Sequence, residues 1–447
     1  MSIPAGTVWE VRAAGSDSNG GLYYAAQAGA GTDYSQQDSP QLSLSDVVTN
    51  GTTTVTSATG GFTAAMVANG INIAGTCYMI ATRSDTNTIT VDRTISSASG
   101  QTGKVGGALA SPGFASGQAT ASNQVWVKAG TYTLTSTTAN VAGGKVTSPA
   151  GGADFPFRWE GYQTTRGDKG ARPVIDGGAT TGINLFTVSG VSVIFDNIAF
   201  TIPDSASVGL SLASTQCSAT RCKFSGAGTG LFASASGTDF SAVFCEGSNT
   251  TSTPFDLRAR GIVLGCAAHG SSLAGFTSAS TVVFLNCVSY GNTGAGFILN
   301  SQQASSFCGC TAYGNGGDGF AFTNSGASKV SVASNCLAVG NGGYGFSAPS
   351  TSGETALINC AGYNNTSGNV NALLTNSQGF VTLSANPFVS VSTNFGLNST
   401  AGGGAACRAA GLPGAFPGLA STIGYLDIGA VQHQDAGGGG GRLTLSL

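Results

Sequence analysis

Lys223, Glu246, Asp256, Arg258, Arg260 and His269 form the densest group of ionisable side chains in the chain. Glycoside hydrolysis would need two of its carboxylates to act together, one as acid and one as nucleophile or base, and a Ca²⁺-assisted reaction on an acidic sugar would need carboxylates clustered around the ion. The group offers little of either. Lys223 and Glu246 each follow a cysteine of a repeating series, so they are expected one repeat apart on the same outward face as a surface ion pair. Asp256 follows Phe255 and is expected to face outward as well. One Asp with two Arg can bind an acidic sugar, but it cannot run a two-carboxylate mechanism unless subunits share the site. His269 falls in the column later filled by Tyr290, Tyr313 and Tyr363, which reads as a stacking position rather than a base. Cys308-Gly-Cys310 has no nearby His to complete a metal site. Gly316-Gly-Asp-Gly319 lacks the residue order of a Ca²⁺-binding repeat. No residue is therefore assigned a catalytic, cofactor-binding or metal-ligating role, and no cofactor is expected.

What must position these residues is a repeat. Cys222, Cys245, Cys266, Cys287, Cys310 and Cys336 recur every 21 to 26 residues, and ten residues after each stands Phe232, Phe255, Phe276, Phe297, Phe320 or Phe346. A weaker unit runs from Cys360 to Val370. The fixed cysteine-to-phenylalanine interval and the variable return mean that one side of each unit is invariant while the other tolerates insertions. Short β-branched strands such as Thr281–Cys287 precede the cysteines, and Gly/Asn corners such as Tyr290-Gly-Asn-Thr-Gly-Ala-Gly-Phe297 follow them. A period this short, without the leucine pattern of leucine-rich repeats, reads as a parallel β-solenoid. Its stacked coils should form ladders of buried Cys, offset Phe rings and corner Asn side chains. Because a coil cannot bury its core alone, both ends require caps.

In chain order, residues 1–37 read as an N-terminal strand and cap, opening with Thr7-Val-Trp-Glu-Val-Arg12. The expected partner strand, Val125-Trp-Val-Lys-Ala-Gly-Thr-Tyr132, comes about a hundred residues later. Residues 38–118 are therefore read as an inserted small β module, with a single helical turn near Phe62–Ala68 and a hairpin turn at Asp85-Thr-Asn. Residues 119–375 form the solenoid, 376–434 a closing coil that should cover the open edge of the last coil, and 435–447 a glycine-rich tail. The end of that tail, Arg442-Leu-Thr-Leu-Ser-Leu447, alternates like a strand that docks on a neighbour. Arg166-Gly-Asp168 lies in a polar loop and reads as a chance tripeptide.

Composition narrows the function classes. Glycine accounts for 70 of 447 residues, charged residues for 8%, and the formal net charge is −3. Such a charge-poor surface leaves no electrostatic footprint for nucleic acid. No apolar run is long enough to span a bilayer, and the N-terminus carries no secretory signal pattern, so synthesis in a cytoplasm is expected. The 11 cysteines read as reduced, buried filler, because parallel Cβ vectors on stacked coils disfavour disulfide geometry.

The Gly-Asn-x-Gly-x-Gly-Phe corners resemble those of the pectate-lyase-like right-handed β-helix superfamily, over roughly residues 120 to 432. The resemblance implies an all-β, right-handed parallel β-helix. It does not fix an activity, since that superfamily holds lyases, hydrolases, epimerases, adhesins and tail spikes. The polygalacturonase-like Asn-Thr-Asp, Asp-Asp and Gly-His-Gly signatures are absent, as is a lyase-like Asp-His pair. The opening, with Gly31-Thr-Asp-Tyr-Ser-Gln-Gln37, resembles uncharacterised phage and phage-like β-helix proteins. The resulting expectation is a non-enzymatic structural or adhesive virion protein, a homotrimer that serves as a capsid decoration, a fibre or a tail-associated β-helix on the virion surface, contacting other capsid or tail proteins. The alternatives are a tail spike or secreted enzyme that binds or degrades polysaccharide, and a bacterial adhesin gripping cell-surface glycan through the Tyr column.

Overall fold

A computed structural model describes residues 3–152, 155–235, 238–248, 250–300, 304–323, 330–348, 354–390, 394–408, 410–412 and 426–432. The chain divides into two compact units, Met1–Pro203 and Asp204–Leu447. Both are built from parallel strands laid in three sheets, a β-solenoid in which each turn contributes one strand to each sheet: the first sheet includes Val8–Val11, Gln124–Lys128 and Val282–Leu285, the second Lys223–Gly226 and Val288–Tyr290, and the third Phe255–Leu257 and Phe276–Ser278.

In the first unit, Val8–Val11 lies directly against Gln124–Lys128, pairing Trp9 with Val125, and Gln124–Lys128 in turn pairs with Phe157–Tyr162. The inserted module is thus bracketed by adjacent coils. It is a closed antiparallel barrel of six strands, Leu42–Thr49, Thr54–Ser57, Gly70–Ile73, Thr76–Arg83, Thr88–Val91 and Ala98–Val105. Alternating Val, Ile and Thr residues let one strand face fill a separate core of Val47, Val55, Phe62, Ile71, Ile80 and Ile89. The helical turn expected near Phe62–Ala68 is a 3₁₀ turn at Ala64–Met66. A helix at Pro112–Gln118, capped by Ser111, follows the barrel. The Asp17 carboxylate accepts the backbone N–H groups of Ala110 and Ser111, both at 2.9 Å.

In the second unit, successive coils superpose like on like. Each ladder cysteine follows a corner residue in the left-handed region, for example Asn286, Asn335 and Asn359 with φ of 51°, 54° and 49°. Asn tolerates that conformation better than other side chains. Thiols of Cys245, Cys266, Cys287 and Cys360 reach carbonyl oxygens of the preceding coil at 3.3–3.4 Å. A sulfhydryl there fills a small space and also donates weakly, which a methyl group could not do. All 11 cysteines are free thiols. Phe255, Phe276, Phe297, Phe320 and Phe346 stack at 4.7–5.0 Å between ring centroids. At the corners, Asn292, Asn315 and Asn341 each donate Nδ2–H to Oδ1 of the next Asn, ending at Asn365, with distances of 2.8, 2.9 and 2.8 Å.

Three expectations are corrected. Leu231, not Phe232, pairs with Phe255, so the aromatic ladder begins only at Phe255, while Phe232 faces out opposite Asp256. That coil makes its corner in one residue fewer, so counting ten from Cys222 overshoots. Cys308, read with the other cysteines as buried filler, is half-exposed whereas Cys310 is buried; the left-handed Gly309 between them turns the chain from one sheet to the next, so only Cys310 joins the interior ladder. The closing segment is divided: Asn376–Gln378 and Val381–Thr382 do stack on the last full coil, whereas the rest goes elsewhere. Its hairpin, Phe388–Ser390 with Asn394–Leu397, lies against Tyr290 and Tyr313 on the outside of the second sheet rather than over the last coil. A second apolar cluster there joins Val288, Leu337, Val339 and Ala361 to Phe388, Phe395, Cys407 and Ile428. The tail at 435–447 lies outside the described residues.

Candidate functional site

The six ionisable residues singled out from sequence divide among three places in the second unit. Lys223, Glu246 and His269 come together on the outside of the second sheet. Lys223 Nζ lies 3.0 Å and His269 Nε2 3.2 Å from the same oxygen, Glu246 Oε1. The strand register stacks His269 on Tyr290, with centroids 4.7 Å apart and rings 15° from parallel. The hydrogen bond from His269, and then Lys223, holds the Glu246 carboxyl below its usual range despite partial burial. Burial and the nearby Glu246 charge both push the Tyr290 phenol up. The column expected through Tyr290, Tyr313 and Tyr363 is interrupted by Val339; the closing segment packs against Tyr290 and Tyr313, and Tyr363 borders the same apolar cluster.

Asp256 and Arg258 occupy the outside of the third sheet. Arg258 grips Asp256 at 2.8 Å through Nη2 and at 3.1 Å through Nε, and its guanidinium lies 5.2 Å from the centroid of Phe232. Thr277 on the next coil donates to Asp256 Oδ1 at 3.3 Å. Arg260 pairs with Asp239 at 2.7 Å, and both are largely exposed. Each outward carboxylate of these coils is therefore already held by a cation. Among the described residues, no three His, Cys, Asp or Glu side chains converge where a metal ion could be held.

Sequence reasoning missed a larger network in the first unit. Strand register lines up Glu10, Trp126, Glu160 and Asp196 on the outside of the first sheet, and the loop after Tyr162 lays two cations across them. Arg166 meets Glu10 at 2.7 Å and Asp33 at 3.0 Å, and donates to Ser35 Oγ at 3.0 Å. Lys169 meets Asp196 at 2.7 Å and Glu160 at 3.5 Å, 5.8 Å from the Trp126 ring. Arg12 adds a 2.9 Å contact to the fully buried Glu10, whose Oε1 also accepts the Tyr162 hydroxyl. Burial and Glu10 raise the Tyr162 phenol, so it stays a proton donor. The Arg166-Gly-Asp168 tripeptide is committed internally, because Asp168 accepts backbone N–H groups of Gln163, Thr164, Thr165 and Gly170. No local sequence signal marks this network, since its direct contacts join residues up to 156 positions apart. Buried charges this well paired tie the early segment at Asp33 and Ser35 to the coils.

Residues 206–362 match the family model described as the right handed beta helix region. No curated protein matches the chain. Among solved structures, pectate lyase Pel9A is similar at 17% identity, covering 73% of this chain and 92% of that one with a TM-score of 0.55. A rhamnogalacturonan lyase is similar at 17% identity, covering 64% and 86% with a TM-score of 0.51. At these identities the likeness concerns fold: the chain is a right-handed parallel β-helix, as these structures are.

Proposed function

We propose that this chain is a non-catalytic β-helix with a structural or adhesive role, of the kind a capsid decoration, fibre or tail-associated protein of a phage particle performs. The state of its outward carboxylates carries the reading. Glu246 is shared by Lys223 and His269, Asp256 is gripped by Arg258, and Asp239 by Arg260. A glycosidase acid needs a carboxyl that keeps its proton near neutral pH, whereas the contacts from His269 and Lys223 hold the Glu246 carboxyl below its usual range. The ladders, by contrast, suit a stiff rod that has to keep its shape.

A second reading, recognition of a polysaccharide, is favoured by the Arg258 guanidinium. It is 54% exposed and lies over Phe232 beside Asp256 and Thr277, so a planar donor fork sits on an aromatic ring where an acidic sugar could lie. The two solved structures reported above are lyases by title, which puts acidic polysaccharides first in any panel. The test incubates the purified chain with acidic and neutral polysaccharides while following reducing ends and unsaturated products. No product from any of them is expected. Product that disappears in Asp256→Ala or Glu246→Ala would overturn the non-catalytic reading. Binding without cleavage, lost in Arg258→Ala, would give the adhesive role its ligand. Quantitative mass spectrometry of particles from the source should count the chain in fixed ratio to the major capsid protein, and its absence from particles would remove the virion setting.

A further inference from the structure

The second unit has two apolar outer faces, and the chain covers one of them. The outside of the second sheet lies under the closing segment, as Phe388 and Phe395 on Tyr290 and Tyr313 make plain. The outside of the first sheet has no such cover among the described residues. Its outward columns pass through Val243, Ile262, Leu264, Val283 and Leu285 in three adjacent coils and, past Cys308 and Ser334 in the next two coils, through Ile358, all in register. Each of these is half-exposed, apart from Ile262 at 48%, which is more open. Between Ser241 and Ile358 the two columns contain no charged residue. The remaining outward places hold Ser, Ala, Val and the half-exposed Cys308. The paired Arg260 and Asp239 lie at the rim.

We infer that this face is a contact between two copies of the chain, packed sheet against sheet. Three observations select a second copy over another occupant. An uncharged aliphatic ladder complements itself without a desolvation penalty, whereas a charged polymer would find no partner on it. The charges are confined to the rim, as in protein interfaces generally. The third observation is area. Six strands at about 4.8 Å spacing, with three to five residues each presented, give roughly 300–500 Å² per copy in projection. Accessible area exceeds projection, which brings the pair to the lower limit of specific interfaces, about 1,200 Å² in total. One flat face supports an isologous two-fold pair. The trimer expected from the sequence would require two different faces on each copy.

Sedimentation equilibrium of the intact protein, from low micromolar to several hundred micromolar, tests the inference. The mass should rise from one chain to two, and Ile262→Lys and Val283→Lys should each weaken association at least about tenfold, which is about 1.4 kcal/mol. Cys308 supplies an independent readout on the wild-type chain, because it is the half-exposed thiol while the other ten are buried. Its alkylation, located by mass spectrometry, should slow as the pair forms and speed up in Ile262→Lys. A single-chain mass throughout, a three-chain mass, or pairing that leaves Cys308 reactive and survives both lysine substitutions would each overturn the inference. A monomer with protected Cys308 would also overturn it, and would assign the face to another segment of the same chain.

Discussion

Removing the ring of Phe297 would empty a site bounded by parallel rings on both sides, Phe276 at 5.0 Å and Phe320 at 4.9 Å. Such a cavity cannot collapse, because the neighbouring coils are fixed by backbone pairing. Phe297→Ala should therefore destabilise the protein by about 3–5 kcal/mol. Phe232→Ala should behave differently although Phe232 has the same spacing from its cysteine. Its ring is half-exposed and touches Arg258, so the loss should stay below about 1 kcal/mol. Chemical denaturation of both variants, read by circular dichroism, measures the difference, and equal losses would restore Phe232 to the interior. The lesson at this scale concerns counting. Ten residues from cysteine to phenylalanine locate the ladder wherever the corner has its common length, and they miss by one where the corner is shorter.

Strands and corners depend on each other through the asparagine series. Asn315, 1% exposed, accepts from the backbone N–H of Asn292 at 3.2 Å and from its side chain at 2.8 Å. It also donates to the Ser289 carbonyl at 3.1 Å and to Asn341 at 2.9 Å. Asn315→Ala would leave two buried donors of Asn292 without their acceptor, and water cannot easily reach a position inside the corner. A loss of about 2–5 kcal/mol is expected, at about 1–3 kcal/mol per orphaned group. Asn315→Asp keeps the acceptor and loses the donors, so at neutral pH it places an unpaired charge against Asn341 Oδ1 and should be at least as harmful. Thermal unfolding of the two variants separates a need for the acceptor alone from a need for the whole ladder. If Asn315→Asp matched wild type, the side-chain chain of donors would carry no stability. The same corner explains why glycine is dense here. A Cβ at Gly296 would come 2.7 Å from the Gly319 carbonyl oxygen, a separation that backbone atoms cannot relieve.

What could be read from the sequence at the scale of the molecule follows from where its signals lie. The coil interior repeats like residues, so Cys287, Phe297 and Asn315 announced their ladders, and the displaced partner of Val8–Val11 announced the insert. Charge pairs one coil apart, such as Lys223 with Glu246, followed from the same register. Glu10, Arg166 and Lys169 were illegible because their contacts join segments with no common period. The destination of the closing segment was hidden for a related reason: Val288, Leu337 and Val339 look like interior strand residues, and nothing in their spacing says that they face outward and need a cover. That cover carries the last prediction. Phe395, 4% exposed, sits 5.0 Å from Tyr290, 5.8 Å from Tyr313 and 5.3 Å from Phe388, so it joins the hairpin to two coils. Phe395→Ala should cost about 3–5 kcal/mol of the segment's attachment. The ladders inside the coils make no use of this ring, so the loss should appear as local opening rather than as global unfolding. Hydrogen exchange should then quicken over Phe388–Leu397 while the protection of Phe276–Ser278 and Phe297–Leu299 is unchanged, and an apolar dye should bind the uncovered second sheet. Equal loss of protection throughout the unit would mean that the cover and the coils fold as a single cooperative body, with the closing segment as indispensable to the rod as its own interior.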